Sequence, residues 1–64
     1  MKLRRYRVET QANNSTTWKI MYYADSLPVA KVHAARLWRS QNVQAARVVD
    51  QRTERVAGHL LFGQ

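Results

Sequence analysis

The residues of this sequence with the clearest chemistry are its arginines. Eleven of the 64 residues are Lys or Arg against four Asp or Glu, so the formal net charge is +7, and eight of the eleven are arginine. A guanidinium is planar and can donate two parallel hydrogen bonds to a phosphate or a carboxylate. Such an excess attracts nucleic acid, anionic lipid or acidic proteins. Solubility alone is the competing explanation, and the size of the excess favours an anionic partner.

The first candidate cluster is the N-terminal run of Lys2, Arg4, Arg5 and Arg7. These side chains could hold phosphates, because cation–phosphate contacts supply most of the sequence-independent affinity for nucleic acid. They could equally be the charges that keep an edge strand from pairing with other chains. The sequence does not choose between the two.

A second candidate cluster combines an aromatic ring with cations on one predicted face of a sheet. Its members are Lys19, Met21, Tyr23 and Arg47, together with Arg5 and Arg7. Aromatic rings on a sheet can stack on bases, at ~1–3 kcal/mol per base, while cations hold the backbone. A dimer interface or a second small core is the alternative, because an exposed apolar patch on a sheet is commonly covered by another chain.

The predicted helix carries the third candidate cluster, in which Arg36 and Arg39 lie beside Val29 and Val32 on the outward side. A basic helix can enter a groove of DNA. However, only one helix is predicted, so no helix-turn-helix is present, and contact with a partner protein is the more natural interpretation.

No set of residues predicts catalysis or a cofactor. His33 and His59 are isolated, there is no cysteine, and the two glycines form no phosphate-binding loop. No carboxylate stands at a catalytic spacing from either histidine. We therefore expect a protein that is not an enzyme and that needs no metal or cofactor. No apolar run approaches the ~20 residues that span a bilayer, and we expect a cytoplasmic location.

The elements that position these residues follow from hydrophobic periodicity. Alternation predicts strands, turn residues such as Asn13-Asn14 separate them, and Ser26 with Pro28 marks a helix start. The predicted elements are strands over 3–11, 16–24, 43–49 and 55–62, turns at 12–15 and 50–54, and a helix from Leu27 to about Ser40.

Each predicted strand has one face toward the helix and one open face. The helix stripe is Leu27, Ala30, Ala34, Leu37 and Trp38. The inner sheet residues are Tyr6, Val8, Thr10, Trp18, Ile20, Tyr22, Ala46, Val48, Val56, Leu60 and Phe62. The open face is Leu3, Arg5, Arg7, Lys19, Met21, Tyr23, Arg47, Val49, Arg55, His59 and Leu61. Gly58 would be a bulge or a close approach of the helix.

These elements predict one small basic domain over 1–64 with an α+β fold. The order is ββαββ, with a four-stranded, mainly antiparallel sheet and one helix packed on one face. No family signature is present; a short basic ββαββ chain resembles in style the small accessory proteins encoded by phages, and no defined motif carries that resemblance.

The function that we predict is nucleic-acid binding with little sequence specificity. About six phosphate contacts would give a log–log salt slope near −5 on duplex DNA, and Arg5→Glu with Arg7→Glu should abolish binding without unfolding the chain. The alternative is a protein-interaction module, or a phage-type inhibitor, that docks on an acidic host protein. A homodimer through the open sheet face or an edge strand is compatible with either.

Overall fold

A computed structural model gives the architecture and describes residues 4–40, 43–57 and 61–62. The elements in chain order are β1 Tyr6–Ala12, β2 Trp18–Ala24, α1 Leu27–Ser40, β3 Val43–Asp50, β4 Arg55–Val56 and β5 Leu61–Phe62. The predicted α+β fold is confirmed: antiparallel strands form one sheet, and one helix packs against it. The predicted fourth strand is present as two short segments, β4 and β5, which both pair with β3.

The strand order is β2-β1-β3-β4, which the sequence did not reveal. Both β2 and β3 run antiparallel to β1, so they are parallel to each other. The helix α1 connects these two strands across β1. This is a split β-α-β arrangement, and it places β3 inside the sheet and β2 at an edge.

A β-bulge in β2 changes which residues face the helix. Val8 pairs with Tyr22 but Glu9 pairs with Ile20, so Met21 is left without a partner. A bulge reverses the alternation of side chains beyond it. The predicted placement of Trp18 and Ile20 on the inner face is therefore wrong, because both lie on the open face.

The same bulge places Lys19 and Met21 on the helix side of the sheet. Lys19 pairs with Thr10, which is a buried residue of the helix face. Lys19 and Met21 line a groove with Thr10. Their predicted placement on the open face is wrong, whereas the placements of Tyr22 and Tyr23 are unaffected.

Register also corrects β4. Val56 pairs with Val49 on the open face, and Arg55 pairs with Asp50 on the helix side, the reverse of the prediction. The turn before β4 ends with Glu54 in the left-handed region, at φ 57°. The N–H of Ala57 then donates to Val48, so Ala57 packs on the core in the position expected for Val56.

The remaining differences lie at the N-terminus and in the last strand. The first strand begins at Tyr6 and not at Leu3, since Arg4 and Arg5 precede it. Leu3, the predicted bulge at Gly58, and the placements of His59 and Leu60 lie outside the described residues. So do the side chains of Leu61 and Phe62.

The core lies between α1 and the middle of the sheet. Ala30, Ala34 and Ala46 are almost fully buried together with Val8 and Val48. Small residues on both layers let the helix approach the sheet closely. The predicted helix stripe is confirmed, because Leu27, Leu37 and Trp38 pack partly buried against this cluster.

Candidate functional site

The fold separates the residues that were predicted to bind a partner. The open face carries Arg7, Tyr23 and Arg47; the segment before β1 carries Arg4 and Arg5; the helix side of β2 carries Lys19; and the outward side of α1 carries Arg36 and Arg39. Of the cluster predicted on one sheet face, Arg7, Tyr23 and Arg47 share the open face, whereas Arg5 precedes β1 and Lys19 lies on the helix side.

The centre of the open face is an ion-pair network around Glu9. Only 6% of Glu9 is exposed, and its two carboxylate oxygens accept from Arg7 Nε at 2.9 Å and from Arg47 Nε at 2.6 Å. The strand register brings Glu9 and Arg47 into contact, because they are cross-strand partners and such partners share a face. The Arg47 guanidinium also lies 4.0 Å from the centre of the Trp18 ring, a cation–π contact.

Arg7 extends this network to the turn before β4. Its two terminal nitrogens donate to the carboxylate of Glu54 at 3.0 and 3.2 Å. Hydrogen bonds to Glu54 and then to Glu9 raise the pKa of Arg7 above its usual value, and the bond from Arg7 lowers the pKa of Glu54. We call Arg7, Glu9, Arg47 and Glu54 the Glu9 network.

Two further ion pairs fix the segment before β1. Arg4 donates to Asp25 at 2.8 Å, and both side chains are more than half exposed. Arg5 donates to Asp50 at 3.2 Å and lies over the Tyr6 ring. The backbone N–H of Arg52 and then the side chain of Arg5 lower the pKa of Asp50.

Each of the four Asp and Glu side chains thus accepts from an arginine of the sheet or of the segment before it. The formal charges of the Glu9 network sum to zero, two arginines against two glutamates. Arg7 and Arg47, which share the open face with the exposed Tyr23, are therefore already neutralised by glutamates. Sequence reasoning missed the role of Glu9, although alternation placed it on the same face as Arg7.

The outward side of α1 has the opposite character. Lys31, Arg36 and Arg39 are exposed, and the helix contains no acidic residue. Val29 and Val32, at 45% and 50% exposed, lie on the same side at spacings of seven and four residues from Arg36. We call Lys31, Arg36 and Arg39 the helix basic surface. The predicted exposure of both valines is confirmed.

A groove of about 450 Å³ lies at the end of the β1–β2 hairpin, beside the start of β3. It is lined by Thr10, Ala12, Ser15, Thr17, Lys19, Met21 and Val43. Farther along β2, the Tyr22 ring stacks on His33 with ring centres 3.8 Å apart. The groove is a mixed surface of hydroxyls, aliphatic groups and one ammonium group.

Within the described ranges, no group of three or more His, Cys, Asp or Glu residues is placed to hold a metal ion. No helix in the described part of the chain is long and apolar enough to cross a membrane.

The fold and the surface together define a small two-layer α+β protein in which all four acidic side chains pair with arginines of the sheet or of the segment before it. Its helix carries Lys and Arg but no acidic residue. No protein-family model, curated protein sequence or solved structure matches the chain.

Proposed function

We propose that this protein binds nucleic acid, with little sequence specificity, through the helix basic surface. The observation that supports the proposal is the pairing of all four carboxylates with arginines outside α1. The chain has eleven Lys and Arg residues. Four arginines hold the four carboxylate side chains, and three further cations, Lys31, Arg36 and Arg39, are exposed on the helix.

The shape of α1 suits this role. Its 14 residues make a rod about 21 Å long, and a major groove about 12 Å wide admits a helix. Arg36 and Arg39 are three residues apart, so they are neighbours on the helix surface. They would contact phosphates at the groove edge, a mode that positions the protein without selecting a sequence.

The arginines of the sheet are less suited to phosphate binding. Arg7 holds two carboxylates, and a phosphate would have to compete with both. The sequence-based test, Arg5→Glu with Arg7→Glu, would place a new carboxylate beside Glu9 and Glu54, so we expect that variant to lose its fold. It therefore cannot report on binding alone.

The salt dependence of affinity tests which surface binds. Three phosphate contacts from the helix basic surface predict a log–log slope of about −3 on duplex DNA, whereas six contacts that include the sheet arginines predict about −5. Arg36→Gln with Arg39→Gln should bring the slope close to −1 and weaken binding. The matched control is Arg52→Gln with Arg55→Gln, which removes the same charge from the exposed β3–β4 turn and β4.

Fluorescence anisotropy with labelled duplex DNA and with single-stranded DNA and RNA provides the measurement. A flat salt response on every oligonucleotide would refute nucleic-acid binding. Equal losses of affinity in the two double variants would refute the helix basic surface as the site, since the lower net charge alone would then explain both losses.

A second function is supported by the exposure of Val29 and Val32 among the helix cations. Apolar anchors bordered by cations suit a protein partner with an acidic surface, because charge speeds association and apolar contact holds the complex.

A further inference from the structure

The edge of the sheet at β2 is open and unusually apolar. Among the described residues, β2 is hydrogen-bonded to β1 alone. Its five central residues, 19–23, are all exposed. An edge strand presents a row of backbone N–H and C=O groups that can pair with another strand.

The usual protections of such an edge are few in β2. Natural edges carry several charges, a proline or a bulge. β2 has no proline, and Lys19 is its single charged residue. The bulge at Met21 interrupts the pairing with β1 without removing the apolar surface, since Ile20 and Tyr23 remain 43% and 46% exposed.

We propose that β2 accepts an extended acidic segment of a partner protein as an added strand. Strand addition gains affinity from backbone hydrogen bonds and specificity from alternate side chains. Neither β2 nor α1 contains an acidic residue, and the chain carries +7. An acidic segment therefore complements the field around this edge.

The two faces of β2 define the pattern of the added strand. Side chains over the open face would lie beside Ile20 and Tyr23, so they would be apolar. Side chains over the helix side would lie beside Lys19 and the groove, so they would be acidic. Since side chains alternate along a strand, the partner segment alternates acidic and apolar residues.

A second copy of this chain and nucleic acid are both less suited to this edge. A second copy would bring another +7 chain and a second Lys19 to the same line. Nucleic acid has no peptide backbone with which to extend the sheet. This inference goes beyond nucleic-acid binding and gives the protein-docking alternative a site and a partner chemistry.

A short synthetic peptide that alternates Glu and Val is the probe, with amide NMR shifts of the full chain and anisotropy as readouts. We expect the largest shifts in β2. A peptide with lysine in place of each glutamate should not bind, and neither should the glutamate peptide with alternate backbone amides N-methylated. Binding of the N-methylated peptide, or shifts confined to α1, would overturn strand addition.

Two variants of equal charge locate the site. Ile20→Glu should weaken peptide binding at least about tenfold. Val56→Glu, at an equally exposed apolar position of β4, should bind as the unmodified chain does. Circular dichroism checks that both stay folded, and the NMR shifts of the unmodified chain remain decisive if one does not.

The oligomeric state and the oligonucleotide affinity separate the remaining outcomes. A dimer in sedimentation that Ile20→Glu converts to a monomer would assign the edge to a second copy and overturn the proposal. Ile20→Glu and Val56→Glu should reduce oligonucleotide binding equally. If the peptide does not bind, the proposal of nucleic-acid binding is unaffected. If oligonucleotides do not bind, the proposal of strand addition is unaffected.

Discussion

Neutralising Glu9 should destabilise the protein far more than neutralising an exposed carboxylate. Glu9→Gln keeps the size of the side chain and removes its charge. Glu9 is 6% exposed and accepts from Arg7 and Arg47, whose side chains are only 17% and 26% exposed. The substitution would leave two guanidinium groups close together in a half-buried site.

The magnitude follows from the geometry of these two bonds. Removing one partner of a fully buried ion pair costs about 3–5 kcal/mol, and a hydrogen bond to a charged group contributes about 1.5–3 kcal/mol. Water reaches both arginines, and the new amide oxygen still accepts one bond, so we expect a loss near the lower bounds, about 2 kcal/mol. At ~4–8 °C per kcal/mol for a domain of this size, the melting temperature should fall by ~8–16 °C.

Asp25→Asn is the matched control, because it removes the same charge from the exposed pair with Arg4. Exposed pairs contribute about 0–1 kcal/mol, and Asn serves as well as Asp near a helix start. Thermal and urea unfolding followed by circular dichroism would give both free energies. Equal losses in the two variants would refute the argument that burial makes the Glu9 network structural.

Two further outcomes follow from the turn between β3 and β4. The pKa values of Asp50 and Glu54 are depressed below their ordinary 3.8 and 4.5. The contribution of these carboxylates to stability is therefore complete above those values and is lost as pH falls through the lower folded-state values. The melting temperature should drop below about pH 4.5, and Asp50→Asn with Glu54→Gln should make that drop smaller. Glu54 has a left-handed φ of 57°, which costs a residue with a Cβ roughly 1–2 kcal/mol. Glu54→Gly should therefore be more stable than Glu54→Ala by about 1 kcal/mol in urea unfolding, and an equal or lower stability would contradict the strain.

The helix and the first strand were predictable because each has one apolar face. In α1 the stripe from Leu27 to Trp38 is apolar and the opposite side carries arginines, so a single orientation satisfies both. In β1 the alternation of Tyr6 and Val8 with Arg7 and Glu9 has the same clarity. Periodicity fixes an orientation only where the two sides differ.

β2 fails that condition, and its faces were assigned wrongly for that reason. In the predicted alternation, one side of β2 carries Trp18 and Ile20 and the other carries Met21 and Tyr23, so both sides have large apolar residues. A strand with two apolar faces has weakly specified register, so no pattern in it announced the bulge at Met21. The partners of the arginines were unpredictable for a related reason, since they depend on strand order: Arg47 meets Glu9 only because β3 lies beside β1.

The same Glu9 substitution decides whether the sheet arginines take part in nucleic-acid binding. Glu9→Gln frees hydrogen-bond donors on Arg7 and Arg47 and raises the net charge by one. If the sheet binds phosphates, affinity should rise well above that of Asp25→Asn, which also adds one charge but frees a cation outside the open face. If the helix basic surface binds, the two variants should bind equally below their melting temperatures, with the salt slope unchanged at about −3. A steeper slope in Glu9→Gln alone would move the site to the open face, where Tyr23 could stack on a base.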